Sequence, residues 1–245
     1  MIGSVRIELA TVDSTNKHAA DLLRLTEVQH GTVILAHEQT QGRGQRDRSW
    51  HSEPGLDLTF SVVLRPAGLA AGHQFVLAQF AALAVRDALL RSGLQDVQVK
   101  WPNDVLVGPR KVAGILIQNE LQGGLVRHAV VGIGLNVNSS GAVEGALATS
   151  VRLELGRPAD REALLCLLLD RLELRWRQAQ GHRPGLEADY REALWGRGRW
   201  LTMELDGALV EARPLEVDGD GRLLVELAGG GVTPFGLDRL RFGPR

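Results

Sequence analysis

Polar and apolar residues alternate along Val5-Arg6-Ile7-Glu8-Leu9, the period-2 pattern of a half-buried strand. Asp13-Ser14-Thr15-Asn16 then offers several capping residues ahead of KHAADLLRL, whose apolar positions repeat with helical spacing. More than one of the four can serve as the cap. GTVILAHEQT predicts a buried strand leading straight into QGRGQRDRSW, residues 41–50. LDLTFSVVLRP predicts another strand, stopped by Pro66. Residues 73–92 predict the clearest helix, closed by Gly93. VQVKW and VLVG predict strands on either side of a turn at Pro102-Asn103-Asp104. KVAGILIQNEL and LVRHAVVGIGLNVN flank Gly123-Gly124 and predict a hairpin. Residues 160–178 predict a second, strongly apolar helix. Short strands joined by hairpins, with helices to cover them, predict an α+β fold on a mixed, mainly antiparallel sheet.

The pattern shifts near residue 195. From there, short strands are separated by turn signals at Asp206-Gly207 and Asp218-Gly219-Asp220-Gly221. About 50 residues of this kind predict a small barrel. The expected organisation is therefore a domain over 1–194 and a smaller one over 195–245.

Composition changes this picture little. Hydrophobic residues make up 44% and charged residues 23% of the 245, ordinary values for a globular chain. A net charge of −1 provides no global field for nucleic acid or anionic membrane, so any anion binding must be local. The single cysteine, Cys166, lies in ALLCLLLD and is expected to be a buried core thiol. The N-terminal stretch lacks a basic segment followed by an apolar one, and no apolar run approaches the roughly 18 residues of a membrane span. The expected compartment is the cytoplasm, with no membrane partner. Seven scattered histidines lack ligand spacing, so no zinc site is expected.

Four stretches carry candidate chemistry. In QGRGQRDRSW the glycines let backbone N–H groups approach a ligand, the arginines suit phosphate, and Trp50 offers a flat face. Alone, the stretch is equally a basic exposed hairpin, and a GRGR also occurs at 196–199 where a basic turn suffices. Lys100-Trp101-Pro102-Asn103-Asp104 places a cation, an amide and a carboxylate in one turn, yet the composition is also simply turn-forming. Lys111-Val112-Ala113-Gly114 puts a lysine at a strand entrance, ordinarily a solvated position. Gly132-Ile133-Gly134-Leu135-Asn136-Val137-Asn138 interrupts a strand with glycines, which permit close backbone approach, and with asparagines, which can bond a ligand.

In sequence order, Asp-Ser-Thr-Asn, Gln-Thr-x-Gly-Arg-Gly, Lys-Trp-Pro-Asn-Asp, Lys-Val-Ala-Gly-Ile-Leu and Gly-Ile-Gly-Leu-Asn-Val-Asn closely resemble the biotin–protein ligases. The resemblance spans about residues 11–138, with a weaker likeness of the tail to that family's small barrel. It implies a sheet related to class II aminoacyl-tRNA synthetases followed by an SH3-like barrel. It implies two steps: biotin and ATP give biotinyl-5′-AMP, and a lysine of a biotin carboxyl carrier domain then takes the biotin. The implied partner is thus a carrier domain of a biotin-dependent carboxylase, with homodimerisation a further possibility.

The same resemblance assigns site residues. Lys111 would bridge the biotin carboxylate and the α-phosphate, with Arg43 and Asp104 completing the catalytic set. Ser14, Thr15, Asn16 and Gln39 would meet the ureido head, with Gly42, Arg43, Gly44, Lys111 and Gly114 along the rest of biotin. Arg46, Arg48, Trp50, Lys100, Asn103, Asn136 and Asn138 would hold nucleotide, Trp50 as the adenine platform. Asp104 would also be the Mg²⁺ ligand. His51 reads as a loop residue. Two departures stand out: Gln45 replaces the fourth residue of the usual Gly-Arg-Gly-Arg, and HSEPGLDL departs from Ser-Pro-x-Gly-Gly. Lipoate–protein ligases share the lysine motifs in related form, but the complete Asp-Ser-Thr-Asn and Gly-Arg-Gly-x-x-x-Arg favour biotin. Because the motifs begin by residue 13, no DNA-binding helices are expected ahead of them, and no DNA partner.

Overall fold

The strand Leu58–Leu64 is buried at every position, which requires covering elements on both faces of its sheet. In this computed structural model, which describes residues 1–45, 48–140 and 147–243, those covers are helical. The larger sheet contains β1 (Arg6–Val12), β2 (Val33–Gln39), β3 (Leu58–Leu64), β4 (Val97–Lys100), β5 (Asp104–Val107), β6 (Arg110–Gln122) and β7 (Leu125–Leu135). Its order is β1-β2-β3-β7-β6-β5-β4. Only β1 and β2 run parallel; every other neighbouring pair is antiparallel, so the sheet is mixed and mainly antiparallel as expected.

Strand alternation sorts the two faces. Phe60 and Val62 of β3, Leu35 of β2, and Val131 and Ile133 of β7 point into the main core. That core is covered by α2 (Val76–Arg91) and α4 (Arg161–Gly181), which contact each other extensively. Ile34, Val63 and Val130 point the other way, under Ala19 and Leu22 of α1 (Thr15–Leu25). On this second face the apolar cover is only partial. Further along the same strands the outward positions are Ser61 and Thr59 of β3, Gly132 and Gly134 of β7, and Gly114 of β6. A polar and glycine surface in the middle of a buried sheet is what opens a cleft there.

The remaining elements are α3 (Val151–Leu155), α5 (Arg183–Ala193), and the strands β8 (Leu201–Leu205), β9 (Ala208–Val217), β10 (Leu223–Leu227), β11 (Val232–Phe235) and β12 (Leu240–Phe242). These five strands form a second, wholly antiparallel sheet in the order β11-β10-β9-β8-β12. Its inner residues Met203, Ala212, Leu223 and Val225 join the main core. Trp101 Nε1 donates to Gly221 O at 2.9 Å, tying the β4–β5 turn to the β9–β10 turn. The second sheet thereby borders the cleft.

Cys166 corrects an expectation. The stripe Leu165, Leu168, Leu172, Trp176 faces the core, and a rotation of about 100° per residue carries position 166 away from it. The thiol is exposed, with Sγ 3.6 Å from Glu162 Oε1. Partial desolvation, followed by the Glu162 carboxylate, pushes its pKa up. A maleimide should therefore label the folded protein fully at one site, but more slowly than it labels free cysteine at neutral pH, because less thiolate is present. Mass spectrometry after timed labelling checks both statements; a native protein that stays unlabelled would restore the buried thiol.

Candidate active site

Two cross-strand rows build the floor of a cavity of about 610 Å³, with Ser61 and Thr59 buried at their ends and outside its lining. In the first row Ser61 pairs with Gly132, and Gly132 with Leu116. In the second row Thr59 pairs with Gly134, Gly134 with Gly114, Gly114 with Asp104, and Asp104 with Lys100. Sheet register alone thus brings together residues from three of the sequence motifs.

The first row carries a neutral polar end. Asn16 lies over Gly132, where a Cβ would come within 2.2 Å of its Oδ1. Asn16 Nδ2 donates to Leu116 O at 3.0 Å, and its Oδ1 accepts from Ser61 Oγ at 2.7 Å. Gln39 Oε1 accepts from Thr15 N–H at 2.8 Å. Ser14, the N-cap position of α1, makes no side-chain capping bond and also lines the cavity. Of the capping residues offered by Asp-Ser-Thr-Asn, none is used to cap through its side chain; Thr15 and Asn16 are turned to the cleft.

The second row carries the charged end. Lys111 Nζ sits 2.6 Å from Asp104 Oδ1. Its backbone is gripped by the segment after the undescribed residues: Lys111 N–H donates to Leu147 O at 2.8 Å and Thr149 N–H to Lys111 O at 2.9 Å. Lys100 Nζ lies 5.0 Å from the Phe242 ring and 5.7 Å from the Trp195 ring, within cation–π range. Tyr190 is fully buried nearby; its pKa stands far above the ordinary phenol value, first because of burial and then because of Asp104, so it stays neutral.

In the arginine loop, residues 42–44 and 48–50 pair with each other. Trp50 N–H donates to Gly42 O at 2.9 Å and Gly44 N–H to Arg48 O at 2.6 Å. Trp50 rests on the second row: a Cβ on Gly134 would fall 2.3 Å from the indole, and one on Gly114 3.0 Å from it. Lys111 Nζ is 5.4 Å from the Trp50 ring. Arg43, Gly44, Gln45, Arg48 and His51 line the cavity beside it. Gly42 shapes the turn without being among the lining residues, and Arg46 lies outside the described residues.

The asparagines divide. Asn136 is buried in the cavity wall, with Nδ2 donating to Thr149 O at 2.9 Å. Asn138 is not among the lining residues; its amide makes both bonds of a pair with the Ala159 backbone, each 2.9 Å. Asn103 lines the cavity, but its Nδ2 donates to Ile115 O at 2.9 Å, which locks the β4–β5 turn onto β6.

Several lining residues escape the sequence reading. Glu204, Arg241 and Phe242 come from the second sheet. Nothing in DRLRF distinguishes Arg241 from a surface arginine. Ser61, wholly buried behind Thr15 and Asn16 and not itself a lining residue, had a signal: with Thr59 it is a period-2 polar pair inside an apolar strand. Asp57 is buried and accepts from Val137 N–H at 2.8 Å and Glu53 N–H at 3.0 Å, pinning the HSEPGLDL segment to the end of β7. Arg43, Arg48, Lys100, Lys111 and Arg241 line the cleft against the carboxylates of Asp104 and Glu204, so it is cationic in a chain of net charge −1. For Mg²⁺ the fit is that of a single carboxylate, Asp104, since no cluster of three acidic, histidine or cysteine ligands occurs among the described residues. That suits a cation whose other ligands are substrate phosphates and water.

A cationic cleft with a lysine–carboxylate pair at one end and a neutral polar pocket at the other has the chemistry to suit an anionic group beside an uncharged one. The chain belongs to the biotin/lipoate A/B protein ligase family, whose model matches residues 8–136. It is 34% identical over 235 residues to the biotin–[acetyl-CoA-carboxylase] ligase of Mycobacterium tuberculosis, covering 93% of this chain and 86% of that one. Its identity to the ligase of the same name from Paracoccus denitrificans is 44% over 170 residues, 65% of this chain and 68% of the other. The fold is similar to the biotin protein ligase of Aquifex aeolicus solved with biotin and ATP, with TM-score 0.81, 26% identity, and coverage of 99% of this chain and 100% of that one.

Proposed function

We propose that this chain activates biotin with ATP to biotinyl-5′-AMP and passes the biotin to a lysine of a biotin carboxyl carrier domain. The observation that carries the reading is the register that sets the Lys111–Asp104 pair on the same floor as the pocket of Thr15 and Asn16, which Ser61 backs. The neutral pocket suits the ureido head, and the cationic end suits the carboxylate and the triphosphate.

The first step brings two anions together, so its barrier is largely electrostatic. Lys111 stabilises the charge shared between the biotin carboxylate and the α-phosphate, and it is not a nucleophile. Arg43 and Arg48 lie in the loop that borders the ligands and excludes water from the labile anhydride. Trp50 and Lys100 border the nucleotide end with Asn136. Mg²⁺, when bound, would neutralise phosphate charge, and Asp104 would hold it. In the second step the carrier lysine attacks the mixed anhydride, the new amide bond forms, and AMP leaves.

The antiparallel five-stranded sheet supports reading residues 195–245 as an SH3-like unit following a domain over 1–194. A net charge of −1 supports the absence of DNA binding, and β1, which pairs with β2 alone, offers the edge along which two copies could associate. No described helix is long and apolar enough to cross a membrane.

Pyrophosphate release from ATP and Mg²⁺ tests the reading. Release should require biotin and should not occur with lipoate in its place. Release with lipoate alone would assign the chain to the other branch of its family.

A further inference from the structure

We propose that Ser61 is a positioning residue for biotin specificity: its hydroxyl fixes the direction in which Thr15 and Asn16 present donors and acceptors to the cyclic urea. The inference rests on reading the cleft as a biotin site.

Proton counting gives the direction. Asn16 Nδ2 donates to Leu116 O at 3.0 Å, which fixes the amide and leaves Oδ1 facing Ser61. An amide oxygen only accepts, so the single proton of Ser61 goes to Asn16 Oδ1, 2.7 Å away. The 2.7 Å contact between the Ser61 and Thr15 hydroxyls then needs the Thr15 proton. Thr15 Oγ1, having given its proton to Ser61, turns lone pairs to the cleft and accepts. Asn16 keeps a second N–H, and Ser14 keeps its uncapped hydroxyl. A cyclic urea has two N–H donors and one carbonyl acceptor, so it needs an acceptor and donors side by side.

The arrangement has no slack. Ser61 is wholly buried and Asn16 is 4% exposed. Any side chain at Gly132 would overlap Asn16. Without the Ser61 hydroxyl, Thr15 is free to turn its proton to Gln39 Oε1, 3.1 Å away. Asn16 Oδ1 is then left buried and unpaired, and the amide is no longer held in one orientation. The urea loses the pattern that distinguishes it from an apolar acid, while the Lys111 end of the cleft is untouched.

Ser61→Ala removes the hydroxyl at nearly constant volume. With the full chain, the KM for biotin in pyrophosphate release should rise by about 30–100-fold. The kcat at saturating biotin and the KM for ATP should stay within about twofold, as expected where uniform binding alone is removed. Desthiobiotin keeps the cyclic urea and lacks the sulfur ring, and its KM should rise by the same factor. Ser61→Cys, nearly isosteric and a poor donor, should fall between and carries the test if the alanine variant does not fold. An unchanged KM for biotin overturns the proposal, as does a parallel rise in the KM for ATP or a loss confined to biotin and absent for desthiobiotin. No biotin-dependent release by the unaltered protein would overturn the reading of the site itself, and the role of Ser61 with it.

Discussion

Lys111→Ala is expected to lower biotin-dependent pyrophosphate release by about a thousandfold, roughly 4 kcal/mol of transition-state stabilisation. Lys111 Nζ lies 2.6 Å from Asp104 in a cleft whose walls bring cations toward one point. Charge builds on the carboxylate–phosphate junction as the anhydride forms, and a fixed ammonium there interacts more strongly with the transition state than with either separate substrate. The loss should therefore fall on kcat, with the KM for biotin changed far less, because the neutral pocket is intact. Lys111→Arg should not restore the rate. A planar guanidinium is larger than an ammonium, and the lysine packs so closely over Gly114 that a Cβ added there would lie 3.2 Å from Cε and Nζ. Single-turnover release of pyrophosphate measures this. A kcat within tenfold of the unaltered protein for Lys111→Ala would show that the lysine serves only to pair with Asp104.

The residues of this end were legible in the sequence because they sit in contiguous words. Lys100 to Asp104 is one turn, and Lys111 to Gly114 one strand entrance, so spacing along the chain was nearly spacing in the fold. The hairpin around Gly123-Gly124 was legible for the same reason, since β6 and β7 meet through a local turn. What lay beyond reach is non-local. Ser61 acquires its role only because β3 pairs with β7, which sets it opposite Gly132 and under Asn16, 45 residues away in the chain. Arg241 reaches the cleft through the docking of the second sheet, which no motif encodes. Cys166 shows the limit of reading composition alone: within a run of leucines, helical rotation, not hydrophobic company, decides which side chain is buried. Helix α5 follows His182 with Pro184 in its first turn, a proline that starts a helix as readily as it ends one, and no element was predicted there.

Gly134→Val is expected to reduce adenylate formation at least 100-fold, on the order of a 3 kcal/mol effect, while leaving the protein folded. Valine is a favourable strand residue, and position 134 is a ladder position between Thr59 and Gly114, so the sheet itself should accept it. The obstruction is on the cleft side. A Cβ there would come within 2.6 Å of three indole atoms of Trp50, closer than real carbon contacts allow. Trp50 must therefore leave the floor, and the loop from Gly42 to Trp50, held by backbone bonds at its base, must shift with it. A ligand spanning the two rows meets the same added carbons, so it cannot lie flat against the backbone between the urea pocket and Lys111. Binding of biotin and ATP, followed by calorimetry, should weaken together, in contrast to Ser61→Ala, which touches biotin alone. Circular dichroism and the thermal midpoint separate this from unfolding. A folded Gly134→Val protein with normal adenylate formation would mean that the ligands do not cross the second row, and the assignment of Gly114 and Trp50 to the site would fall with it.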